Sequence, residues 1–307
     1  MNKFIVTTTI NSPTIATRKF CEFKDWTFVI VGDTKTPHQE YEDLDCVYLS
    51  PDTQEKIHKG LSDVIGWKSI QRRNLGFLFA YQQGADIIAT VDDDNIPYDD
   101  WGKDVLVGQN IECDLYESNH NVFDPLSVTS RNEVWHRGYP IEYVPTRHKV
   151  EYKGKIKRKV LVQADLWDGD PDIDAMARLS IKPVVKYSDI TKPCCSKQFA
   201  PFNSQNTFLA RKVIPYYAVL PYVGSMDDIW GAYIMQHYFP NTVIYNKSSV
   251  YQDRNEHNLI EDMKKEYLGY ENNLSLVKDL TVDPERIMNY LPARAIEAWR
   301  LYRSLLN

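Results

Sequence analysis

Five apolar or β-branched residues, Ile87-Ile88-Ala89-Thr90-Val91, run directly into Asp92-Asp93-Asp94, and Asn95-Ile96-Pro97 follows. A run of this length and composition predicts a buried strand, and Pro97 predicts the end of regular structure. Three carboxylates at the tip of a buried strand resist desolvation and raise one another's pKa, so something has to neutralise them. A divalent cation does this most simply. Mg²⁺ and Mn²⁺ take hard oxygen ligands and keep positions open for substrate phosphates, which suits a nucleotide or nucleotide-sugar site. Side chains alternate along an extended segment, so Asp92 and Asp94 share one side and Asp93 takes the other. Asp92 and Asp94 are therefore the candidate metal ligands; a solvated acidic turn is the plainer reading of the same residues.

The flanking sequence predicts a strand over 4–10, a helix opened by Ser12-Pro13 and reaching about 23, and a strand over 27–31 that ends in Gly32-Asp33. A short strand over 47–49 and a helix over about 69–83, capped by Ser69 and stopped by Gly84, complete the first third. Strands separated by helices imply a three-layer α/β fold with a mostly parallel central sheet and right-handed crossovers. Ligands bind beyond the carboxyl ends of such strands, where this chain carries Thr8, Thr9, Asn11, Asp33 and the acidic run. Asp33 can accept hydrogen bonds from a base or ribose. Arg72, Arg73 and Asn74, at the front of a helix, can face a diphosphate, with a solvated helix face as the alternative for the arginines.

The chain has 307 residues, 43% of them hydrophobic and 25% charged, enough for a sizeable core. A formal net charge of −6 gives no general attraction for nucleic acid, which is not an expected partner. No apolar stretch reaches the length of a membrane span and the N-terminus lacks a signal-peptide layout, so the expected location is cytoplasmic. Cys21, Cys46, Cys113, Cys194 and Cys195 are odd in number without Cys-x-x-Cys spacing, so neither a disulfide framework nor a zinc site is expected.

Beyond Trp101 the aromatic-rich segments 116–125 and 135–140 read as binding loops. The basic segment 147–159, centred on Lys153-Gly154, reads as a solvated hairpin that could steer an anionic acceptor. Asp165, Asp168, Asp170, Asp172 and Asp174 cluster around Trp167, and a loop from Ala200 leads into a strand near Leu209. Ser225 is expected to cap a helix reaching about Tyr238, with Asp227 and Asp228 in its first turn. Capping explains one of those acids, so the pair is a candidate catalytic base or holder of an acceptor hydroxyl. His257 is a candidate third metal ligand, although a lone histidine is more often structural. Pro292 opens a last helix with Ile296, Trp299, Tyr302 and Leu306 on one face. Residues 259–307 thus read as a helical tail packed on a catalytic domain of 1–258.

The order of motifs resembles the STELLO-like glycosyltransferase domain in Val6-Thr7-Thr8-Thr9-Ile10-Asn11-Ser12-Pro13-Thr14 and in Val31-Gly32-Asp33-Thr34-Lys35-Thr36-Pro37. Tyr48-Leu49-Ser50, the stretch Arg72-Arg73-Asn74-Leu75-Gly76-Phe77-Leu78-Phe79-Ala80, and Trp135-His136-Arg137-Gly138-Tyr139-Pro140 extend the resemblance. The later part is similar to the reversibly glycosylated polypeptides, the UDP-arabinopyranose mutases. It is similar in Asp92-Asp93-Asp94, Arg137-Gly138-Tyr139-Pro140, Leu166-Trp167 with Asp172-Ile173-Asp174, and Asp227-Asp228-Ile229-Trp230-Gly231.

The resemblance implies a GT-A-like fold, a UDP-sugar donor, and Mn²⁺ or Mg²⁺ held by the aspartate motif. It puts Asp92 and Asp94 at the metal and diphosphate, Asp33 near the nucleoside, and Asp93 and Trp230 among the donor-binding residues. The mutases' Arg-Gly-Tyr-Pro arginine is linked to reversible self-glycosylation, and Arg137 holds that position. The expected activity is metal-dependent transfer from a UDP-sugar to an unidentified hydroxyl-bearing acceptor, with Asp227 or Asp228 presenting or deprotonating the hydroxyl. A UDP-sugar mutase is the alternative, and a nucleotide-sugar-binding module without catalysis is a further one.

Overall fold

The computed structural model describes residues 1–181, 183–187, 192–254 and 258–307. The chain begins with β1 (Lys3–Thr9), α1 (Ile15–Phe20), β2 (Thr27–Gly32), β3 (Val47–Leu49), α2 (Pro51–Ile65), α3 (Arg73–Gln82), β4 (Ile87–Val91) and β5 (Asn95–Pro97). It continues through β6 (Asn110–Ser118), β7 (Val150–Lys159), β8 (Val162–Gly169), α4 (Ala175–Ile181), β9 (Cys194–Cys195) and β10 (Asn206–Ala210). It closes with α5 (Asp227–Tyr238), β11 (Val243–Gln252), α6 (Leu259–Leu280) and α7 (Ala293–Leu306).

The period of two along the strands builds two cores. Phe4, Val6, Val29 and Val31 face a layer made by α2, α3, α5, α6 and α7. Ile5, Phe28, Ile30 and Ala89 face the other side, where Phe20 of α1 packs with Trp26, Trp101 and Phe208. This is the three-layer α/β fold that the sequence predicts.

The sheet runs β3-β2-β1-β4-β10-β8-β11-β9-β6-β7. Its first four strands are parallel. β10 then enters antiparallel to both β4 and β8, and β11 lies parallel to β8. One inverted strand fixes where the site forms. The carboxyl ends of β4, β8 and β11 and the start of β10 all fall on one edge, so the loops that follow or precede them must meet there.

Several local expectations need correction. Ser50 and Pro51 start α2, a helix beyond those expected from the sequence; Ser50 Oγ accepts the Thr53 N–H at 3.3 Å. Thr14, not Ser12, caps α1. Regular structure does end at Pro97, but Asn95–Pro97 form a short strand, β5, that pairs antiparallel with β11. The basic segment is no hairpin: β7 is an edge strand paired with β6. The register shifts between Asp114 and Tyr116, and Lys153-Gly154 forms a bulge in which Gly154 takes φ +88°. Ser225 makes no side-chain cap for α5. α7 buries Trp299, Tyr302 and Leu306 as expected, with Ile296 half-buried. No helix among the described residues is long and apolar enough to cross a membrane.

Candidate active site

A cleft of about 520 Å³ opens at the convergent edge, lined by Asp92, Arg137, Asp172, Ser204, Asp227 and Asp228 among others. A second cavity of about 330 Å³ adjoins it and is lined by Thr8, Asn11, Asp33 and Asp93. Lys68, Ser69 and Ile70 line both.

The strand-tip acids divide as their alternation requires. Asp93 turns toward β1 and accepts from Thr9 Oγ1 at 2.5 Å and Asn11 Nδ2 at 3.0 Å. Asp92 turns the other way and accepts from Arg73. Arg73 is fully buried and also donates to the Ser204 carbonyl and hydroxyl, both at 2.7 Å, and to Thr8 Oγ1 at 3.2 Å. A buried guanidinium is tolerable only when paired and hydrogen-bonded in this way. Burial and the neighbouring Asp92 push the Asp94 carboxyl up to about 7. Its buried Oδ1 has no hydrogen-bond partner among the described residues.

Asp92 at the cleft and Asp94 close beside it, with an orphaned oxygen, fit a hard divalent cation. No three His, Cys, Asp or Glu side chains among the described residues are grouped to hold an ion by themselves. Mg²⁺-type sites need only one or two protein carboxylates when phosphate completes the shell. His257, the expected third ligand, lies outside the described residues.

Arg137 reaches the cleft from the long loop between β6 and β7, which lies against α5. Gly138 lies at φ +82°, and an added Cβ would come within 2.3 Å of Ile229 Cγ2, so only glycine lets this loop lie on α5. Arg137 Nε donates to both Asp172 oxygens at 3.0 Å, Nη2 donates to Asp172 at 2.8 Å, and Nη1 pairs with Asp228 at 3.1 Å and the Ser225 carbonyl. Burial raises the Asp172 carboxyl, but Arg137 and Arg254 overcome it and hold Asp172 well below the usual carboxylate range. Asp228 is clamped further by the Ser204 N–H at 2.8 Å and hydroxyl at 3.0 Å. Asp227 differs. Among the described residues it accepts only from Gln71 Nε2 at 2.6 Å and from the Asp228 N–H at 2.9 Å, and burial with the adjacent Asp228 pushes it up to about 7.

In the smaller cavity, burial of Asp33 is outweighed by backbone N–H groups of Lys68, Ser69 and Thr34, which lower its pKa. Those bonds tie Asp33 to a strap over 66–72. Arg72 roots the strap: its guanidinium stacks 3.3 Å from the Trp67 ring centroid and donates to Gln54 at 2.6 Å and the Gly66 carbonyl at 2.9 Å.

Two expected ligand contacts are therefore corrected, while Arg72 lines the smaller cavity with its guanidinium buried and held by the strap. Asn74 bonds the Val219 N–H and carbonyl at 2.9 and 2.7 Å. Trp230 is fully buried against α6, its Nε1–H donating to Asn273 at 2.8 Å. Thr8, Asn11, Asp33, Arg73, Asp92, Asp93, Arg137, Asp227 and Asp228 do come together around the two cavities. Lys68, Gln71, Ser204, Arg254, Lys265 and Glu266 line the larger cavity without having been singled out. No local signal marks them, since each arrives by a crossover or on the tail helix α6.

Fold and site together define an α/β protein with a nucleotide-sized, carboxylate-lined cleft at its strand ends. No family model matches the chain. Over 61% of its length the chain is homologous to two Arabidopsis thaliana proteins. It is 29% identical to "Probable glycosyltransferase STELLO2" and 28% identical to "Probable glycosyltransferase STELLO1". The matched region is 26% of each, so the chain spans about a quarter of the length of these relatives. Among solved structures, glucosyl-3-phosphoglycerate synthase from Mycobacterium tuberculosis with phosphoglyceric acid aligns at 10% identity and a TM-score of 0.49, covering 90% of this chain and 80% of that one. The same enzyme with Mn²⁺, UDP-glucose and phosphoglyceric acid aligns at a TM-score of 0.48, with the same identity and coverage.

Proposed function

We propose that the chain is a metal-dependent glycosyltransferase of GT-A type that uses a UDP-sugar donor and a hydroxyl-bearing acceptor. The observation that carries this reading is the meeting of Asp92 with Asp227 and Asp228 in one cleft, with Asp94 close beside Asp92 and the cavity around Asp33 adjoining. A nucleoside fits the smaller cavity beside Asp33, and the sugar then lies in the larger one. The STELLO homology supports the same class. Asp92 and Asp94 are the residues that would hold Mn²⁺ or Mg²⁺. When bound, the ion supplies neutralisation of charge on the UDP leaving group.

Of the two α5 acids, Asp227 has the properties of a general base. It has no ion pair among the described residues, and a pKa of about 7 matches a proton acceptor working near neutral pH. Asp228, locked by Arg137 and Ser204, positions that base and keeps Arg137 in place. A mutase proceeding by self-glycosylation needs a free nitrogen on Arg137, and all three donate to carboxylates or a carbonyl. Transfer is therefore the reading the geometry favours.

The test separates binding from turnover. Asp227→Asn is expected to bind UDP as wild type does, while UDP release from a UDP-sugar falls by roughly two to four orders of magnitude. Asp92→Asn is expected to lose the metal-dependent part of UDP binding. Full turnover by Asp227→Asn removes the assigned base.

A further inference from the structure

We infer that Lys68 binds the diphosphate of the nucleotide donor where the two cavities join. The inference rests on the reading of the cleft as a nucleotide-sugar site. A donor with its nucleoside in one cavity and its sugar in the other must lay its diphosphate across the shared wall of Lys68, Ser69 and Ile70. Lys68 is the one cation in that wall.

Its availability sets it apart from the other basic residues. Arg72, Arg73 and Arg137 are buried, and each guanidinium is held by hydrogen bonds inside the protein. Arg178 is paired with Asp170, and Arg254 lies 3.8 Å from Asp172. Lys35 lines only the smaller cavity and Lys265 only the larger. The Lys68 side chain is exposed, and its ammonium has no partner among the described residues.

The backbone points the same way. Lys68 takes φ +59°, a left-handed conformation that glycine or asparagine adopts more readily than lysine. The strap holds it there: its N–H and that of Ser69 donate to Asp33, and Trp67 stacks on Arg72. The turn itself has no use for a lysine side chain. An ammonium presented at the junction of two ligand cavities does have one, because it offsets the charge that builds on the departing nucleoside diphosphate.

Two variants of the whole chain test this, with UDP binding measured by calorimetry and uridine binding by ligand-observed NMR, in Mg²⁺. Lys68→Gly removes the ammonium and suits the positive φ, so the strap is retained. It is expected to weaken UDP roughly ten- to a hundredfold, the effect of losing one charge-assisted contact, and to leave uridine within about twofold. Lys68→Arg is expected to restore most of the UDP affinity. Equal losses for UDP and uridine would assign Lys68 to the strap alone, and unchanged UDP binding would also overturn the inference. Wild-type protein that binds no UDP would overturn the proposed function itself, and this inference with it.

Discussion

Asp165 is buried in β8, where it accepts from Ser249 Oγ at 2.7 Å and Gln163 Nε2 at 2.8 Å. Burial pushes its carboxyl up to about 7, well above the unfolded value near 4. The folded state therefore holds a proton that the unfolded state has lost between about pH 4 and pH 7. Stability falls as pH rises through that window and levels off above it. Asp165→Asn is expected to raise the melting temperature at pH 8 by a few degrees and to change it little at pH 5; equal shifts at both pH values would contradict the cause. At this scale legibility depended on how local the physics is. The opposite facing of Asp93 and its neighbours follows from strand alternation and was readable. The inward turn of Asn74 and Trp230 depends on Val219 and Asn273, which lie far away in sequence.

At the scale of elements, β7 explains why the basic segment carries so many lysines. It is the last strand of the sheet, and Lys155 pairs with Glu112 at 3.0 Å while Lys157 lies opposite Glu112 in register. Charged residues on an edge strand prevent another chain from adding to it. Replacing Lys155 and Lys157 with valine is expected to produce concentration-dependent self-association in light scattering without lowering the melting temperature. A monodisperse double variant would show that the lysines have another purpose. The hairpin reading failed at Gly154, because a positive-φ glycine serves a bulge as well as a turn, and only the partner strand β6 distinguishes them. α2 was legible in Ser50-Pro51, the same cap signal that was read at Ser12-Pro13.

For the whole molecule, the decisive feature is the inverted β10. Because it runs antiparallel between β4 and β8, Ser204 before it, Asp172 after β8 and Arg254 after β11 all reach the tip of β4. The result is a continuous chain of contacts from Asp92 through Arg73, Ser204, Asp228 and Arg137 to Asp172. Alternating hydrophobic and helical segments made the layered α/β class readable. The inversion was not, since Asn206-Thr207-Phe208-Leu209-Ala210 has the same pattern in either direction. Nor was the reach of α6, which brings Lys265 and Glu266 to the cleft wall from what reads as a tail.

The central claim is that this edge binds and cleaves a UDP-sugar with the help of a divalent cation. The most direct measurement is UDP release by the wild-type chain from a panel of UDP-hexoses and UDP-pentoses, with Mn²⁺ present and after chelation. Release from at least one donor is expected, lost on chelation and restored by added Mn²⁺ or Mg²⁺. Release that is indifferent to chelation would contradict the role of Asp92 and Asp94, and neither release nor binding of any donor would contradict the account as a whole.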